Sequence, residues 1–166
     1  MRQLAILNLS VIFCTLPYFS AYLSAETTHK LEILNENRIR RSFQLVVGLR
    51  EGYDSPITHS AKEAEAIIAE WLVEQQRDGN PYLPGQVIEG CMLYIHNGIR
   101  TEPVLTYMGE ISPLYHKTLQ DEEAIAALCT LAERLARELK QVRIYLSYRD
   151  QLLILEKPEL RLSRSG

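Results

Sequence analysis

The sequence predicts an α+β domain, an antiparallel sheet with two helices packed on one of its faces. Asn97-Gly98 stands between two apolar runs, Val87–His96 and Ile99–Met108. Asn-Gly is the dipeptide of a tight hairpin, because both central residues of a type I′ turn take positive φ. On each side of this hairpin lies one strand-like run and one segment with apolar residues at helical spacing. The chain has 166 residues, of which 46% are hydrophobic and 23% charged, as expected for one globular domain.

The elements follow in order. Phe43–Leu49 reads as the first strand, and Val46 breaks its alternation, as in a central strand covered in part on both faces. A loop follows over Arg50–Pro56. Ser60-Ala61-Lys62-Glu63 has the form of a capping box, in which serine and glutamate each satisfy an orphan amide. The helix behind it carries Ala64, Ile67, Ile68, Trp71, Leu72 and Gln75 on one stripe and should end at Asp78-Gly79. After the hairpin, Gly109–Leu119 is a loop. Thr118 or Asp121 can cap the second helix, whose stripe is Ala124, Ile125, Leu128, Ala132, Leu135 and Leu139. Glu133 can pair with Arg137 one turn later. Val142–Ser147 and Gln151–Leu155 read as two further strands joined by Tyr148-Arg149-Asp150.

This order, βαββαβ plus one C-terminal strand, is the split βαβ order of ferredoxin-like domains. Right-handed crossovers put both helices on one sheet face. The other face carries Met92, Tyr94 and His96 along one strand, a half-apolar surface suited to a homo-oligomer. The domain spans 43–156, behind a linker at 26–42 and ahead of a flexible tail at 157–166. Residues 1–25 form a hydrophobic segment whose apolar part has signal-peptide length, so export or membrane anchoring is expected; a docked helix of a cytoplasmic protein is the alternative. Any membrane contact is expected only through residues 1–25.

From Ala66 to Ile111 the chain is similar in layout to copper-tolerance-type proteins of the PII-like group. The shared features are a helix, Pro84-Gly85, a strand, a short Gly turn and a returning strand. It also resembles an uncharacterised group of exported bacterial ferredoxin-like domains. The first resemblance implies a trimer that binds small ligands with loops between subunits. The aromatic-Gly turn and the His-Pro-Tyr run of that group are absent from this sequence.

A formal charge of −3 and scattered basic residues argue against nucleic acid as a partner. The one tight cluster, Arg38, Arg40 and Arg41, reads as a solvated linker. His29, His59, His96 and His116 stand at no metal-ligand spacing, and no phosphate loop or nucleophile motif occurs, so no metal, cofactor or catalytic residue is expected. Cys91 and Cys129 read as two buried thiols. The topology sorts the loops into two ends. One holds Arg50–Asp54 and the start of the first helix, where Arg50 and His59 could take an anion. The other gathers Tyr82, Tyr115, His116, Tyr148, Arg149 and Asp150, and this aromatic and polar set is the expected ligand-binding site. The sequence thus points to a ligand- or partner-binding domain without catalysis, its ligand a small molecule or a protein. The alternatives are a small hydrolase or isomerase using His116 with Asp150 or Tyr148, and a structural assembly subunit.

Overall fold

The computed structural model describes residues 39–52, 55–95 and 98–157. They belong to one compact unit, Ile39–Gly166. The readings of residues 1–25 as a signal or anchor, of 26–38 as linker and of 158–166 as tail lie outside the described residues. So do His29, His96 and Asn97.

The elements run β1 (Ser42–Gly48), α1 (Ala61–Arg77), β2 (Gln86–Ile95), β3 (Ile99–Glu110), α2 (Asp121–Glu138), β4 (Arg143–Tyr148) and β5 (Gln151–Glu156). The strands form one antiparallel sheet in the order β2-β3-β1-β4-β5. Because β5 adds outside β4, the order is not that of a bare four-stranded split βαβ unit. Both edges, β2 and β5, expose unpaired backbone, the situation that invites another strand or chain.

Alternation decides which face is covered. In β1, Phe43, Leu45 and Val47 are buried; their partners across the sheet include Leu105 and Tyr107 on β3 and Ile144, Leu146 and Tyr148 on β4. These side chains share one core with Ala64, Ile67, Ile68 and Trp71 of α1 and Ala124, Leu128, Leu131 and Leu135 of α2. The opposite face carries Gln44, Val46, Thr106, Met108, Tyr145 and Ser147, none of them fully buried. Both helices therefore cover one face, and among the described residues no element covers the other.

The local signals act as the chemistry requires. Ser60 caps α1, with Glu63 N–H donating to Ser60 Oγ at 3.2 Å and Ser60 N–H to Glu63 Oε2 at 2.6 Å. Gly79, at φ 71°, turns the chain beyond the Asp78 cap. The cap of α2 is Gln120, not Thr118 or Asp121: Glu123 reaches back to accept from the Gln120 amide at 2.9 Å, and the Gln120 side-chain amide donates to the backbone carbonyl of Thr118 at 2.7 Å. The Glu133–Arg137 pair gives way to Arg134, which fans out to Glu70, Glu74 and Glu138 at 2.9, 2.7 and 3.0 Å and so ties α2 to α1. Cys91 and Cys129 are free, and Cys91 is exposed, because β2 is an edge strand with little packed over either face. Among the described residues no helix is long and apolar enough to cross a membrane.

Candidate functional site

The six residues expected to bind a ligand divide into two contacts and two free side chains. Tyr148 closes β4, and its hydroxyl donates to Asp121 Oδ1 at 2.7 Å. Arg149, in the β4–β5 turn at φ 54°, donates to the other carboxylate oxygen at 2.6 Å. Arg41 lies 2.7 Å from Asp121 Oδ1 and also donates to the Tyr148 hydroxyl at 3.1 Å. The Asp121 carboxyl is held below its ordinary value, first by the Tyr148 hydrogen bond and then by Arg149 and Arg41. Beside this network Tyr82 and His116 meet edge-on, with ring centroids 5.7 Å apart. Burial, with help from the Arg41 charge, lowers the His116 pKa and keeps the ring neutral. Tyr115 is 79% exposed and Asp150 is also on the surface. One nitrogen of the Arg149 fork is spent on Asp121, and the contacts of Asp121 with Tyr148 and Arg149 fasten α2 onto the end of β4.

The loop end at the start of α1 is equally occupied. His59 lies 3.2 Å from Glu51 and 3.6 Å from Glu63, so it is not presented to an anion.

A different group stands out on the open sheet face. Glu102 of β3 pairs with Met92 of β2 and has the same parity as Val104 and Thr106, which puts it on the side away from the helices. It borders a cavity of about 80 Å³ lined by Gly48, Gly52, Gln141, Arg143 and Tyr145, with Val46, Met92 and Val104 as apolar wall. Burial pushes the Glu102 carboxyl up, against the opposing charge of Arg50. Gln141 is 3% exposed, the one buried amide or charged residue among the described residues. Its Nε2 donates to Arg50 O at 2.8 Å and to Leu139 O at 3.0 Å. Those two bonds fix the amide and leave Oε1 facing Gly48. A Cβ on Gly48 would lie 2.9 Å from Gln141 Oε1 and would collide with Glu102 Oε1. The missing side chain at Gly48 is therefore what lets two acceptor oxygens, from Glu102 and Gln141, converge on one small space. A carboxyl raised by desolvation in a cleft is a candidate for binding or proton chemistry.

No protein-family model and no curated protein sequence matches the chain. Solved structures do. A phage SAM lyase in complex with S-methyl-5'-thioadenosine superposes with a TM-score of 0.54 at 15% identity, over 74% of this chain and 96% of that one. A phage SAM lyase in the apo state gives 0.56 at 16%, over 78% and 97%. At this identity the likeness speaks for the fold. It nevertheless corrects the reading of a binding or assembly domain without catalysis, and of a His116 hydrolase or isomerase. Those readings rested on the fold and on the crowded loop end, whereas the solved structures that match the fold are of a lyase.

Proposed function

We propose that this chain is a lyase acting on S-adenosylmethionine or a close sulfonium relative, with the amino-acid end of the substrate in the Glu102 cavity. The observation that carries the reading is the raised, half-buried Glu102 carboxyl set beside the fixed Gln141 oxygen. Two acceptors facing one space suit an ammonium group, which has only donors. A bound cation also returns Glu102 to its charged form, so the cost of burying the carboxylate is recovered only when substrate is present. Releasing a methylthio-nucleoside breaks the bond between sulfur and the aminobutyryl chain while the substrate's own carboxylate oxygen bonds to the carbon that sulfur leaves, closing a lactone. Sulfur keeps the electron pair and passes from a cation to a neutral thioether. Apolar neighbours such as Val46, Met92 and Val104 solvate a sulfonium poorly and so favour the step that discharges it.

The fold likeness supports this reading, and so does the arrangement of the inner strands. Taken alone, β2-β3-β1-β4 follow the order of a ferredoxin-like split βαβ unit, to which we read β5 as an addition. A cavity of about 80 Å³ cannot enclose a nucleoside, since ligand pockets run to roughly 300–1,000 Å³. We therefore read the remaining substrate contacts as coming from the open sheet face of a second copy of the chain. The test is incubation with S-adenosylmethionine and chromatography for methylthioadenosine. Glu102→Gln should cut kcat/KM at least about 100-fold with the fold intact. Equal rates in the two proteins would remove Glu102 from the site, and no product from the unaltered chain would end the lyase reading.

A further inference from the structure

Beyond β1 the chain doubles back before α1 begins. Leu49 N–H donates to Pro103 O at 2.9 Å, His59 N–H to Leu49 O at 2.7 Å and Glu51 N–H to Ile57 O at 3.0 Å. Arg50 and Thr58 form an isolated antiparallel bridge. Residues 49–52 and 55–59 thus form a strap that continues from β1 and is anchored to β3. The strap bears on the proposed site through two of its residues. Gly52 lines the Glu102 cavity, and Arg50 O accepts from the Gln141 amide.

Glu51, between them, is not used by the chemistry proposed above. Its side chain is only 12% exposed, and one of its oxygens is shared by two partners from different elements. His59 Nε2, just ahead of α1, lies at 3.2 Å, and Lys140 Nζ, just beyond α2, lies at 3.0 Å. Lys140 itself holds φ 50°, in the left-handed region, where a residue following a helix is ordinarily glycine. A lysine there keeps a strained backbone and places its ammonium on Glu51. The next residue is Gln141, whose N–H bonds to Ala136 O at 2.8 Å and whose side chain reaches Arg50 O. Glu51 therefore ties the strap that carries Arg50 and Gly52 to the helix end that carries Gln141.

We infer that Glu51 is a positioning residue: through Lys140 and His59 it sets the distance between the strap and Gln141, and so the width of the Glu102 cavity. This rests on the assignment of that cavity as the substrate site. Glu51→Gln keeps the volume and one acceptor oxygen and removes the charge. Lys140→Gly relieves the backbone strain and removes the same ion pair. Hydrogen exchange at the amides of Glu51 and His59 should quicken about tenfold in both variants, while the helix cores exchange as before. KM for S-adenosylmethionine should rise about tenfold with kcat within about threefold, and Glu51→Asp should recover part of the loss. A purely structural role for Lys140 predicts the opposite for Lys140→Gly, a protein at least as stable with unchanged exchange and KM. Wild-type exchange and KM in both variants would overturn the inference, as would faster exchange with an unchanged KM. If the unaltered chain releases no methylthioadenosine, the lyase reading fails and this inference with it. Normal turnover in the unaltered chain with an unchanged KM in both variants overturns the inference alone.

Discussion

Glu102 carries a cost that can be measured without knowing the substrate. Its carboxyl is raised in the folded chain by burial, so the folded state resists its ionisation more than the unfolded state does. The sign follows from linkage. Below the ordinary carboxylate range both states hold the proton and no penalty exists. As pH rises past that range the unfolded chain releases its proton first, and the fold loses stability. Glu102→Gln should therefore melt higher than the unaltered protein at pH 8, and the gap should close as pH falls to about 4. A variant that melts lower at pH 8 would mean that the carboxylate is satisfied in place and is not held for a ligand. Asp121 is the contrasting carboxylate, lowered by its hydrogen bond to Tyr148 and by Arg149 and Arg41. Asp121→Ala removes the acceptor of the Tyr148 hydroxyl, on a residue 1% exposed, and should cost about 1–3 kcal/mol in denaturant unfolding. Little change would mean that Arg41 and water replace the carboxylate.

Elements were the most legible level of this chain, because each is written in adjacent residues. The Ser60–Glu63 box, Gly79 and the apolar stripe of α1 all act where their sequence stands. Boundaries moved by a residue or two, and β3 ran on to Glu110 because it pairs fully with Ser42 and Phe43. What failed were choices among near-equal partners. Gln120 rather than Asp121 caps α2 since Asp121 is taken by Tyr148, Arg149 and Arg41, and Arg134 outcompetes Arg137 because only Arg134 also reaches α1. Both outcomes depend on tertiary neighbours that local spacing does not encode. The helix-on-sheet packing has a direct test. Trp71 sits mid-stripe on α1 at 3% exposure within the core. Trp71→Ala should cost about 3–5 kcal/mol, the range for large aromatic deletions from a core. A cost below about 1 kcal/mol would place the stripe against something softer than the sheet.

At the scale of the whole molecule the candidate site was not legible, for a topological reason. Gly48, Glu102 and Gln141 lie on three separate elements, and no motif spaces them. They become neighbours only because β1 pairs with β3 and α2 delivers Gln141 beside β1. The one available signal was Glu102 itself, a charge in the returning strand of an apolar hairpin, opposite a strand that ends in glycine. The crowded loop end was legible because its residues are conspicuous; what local sequence does not encode is that Asp121 bonds Tyr148 and Arg149 there. The hairpin remains to be explained. Leu93, Ile95 and Ile99 are exposed at 69%, 88% and 81%, and by alternation and pairing they lie on the same side of β2 and β3 as Leu105 and Tyr107, opposite Glu102. An apolar edge of this kind left in water invites association. If the second copy that completes the proposed site also covers this part of the hairpin, association and turnover should fail together. Leu93→Glu with Ile95→Glu alters only exposed side chains, so each chain should stay folded by circular dichroism. Sedimentation should give a multiple of the chain mass for the unaltered protein and the single mass for the double variant. Methylthioadenosine release should fall at least about tenfold in the same variant, with the remaining rate rising as protein concentration rises, since association follows mass action. Full activity from a single chain at every dilution would mean that one copy binds the whole substrate on its own open face.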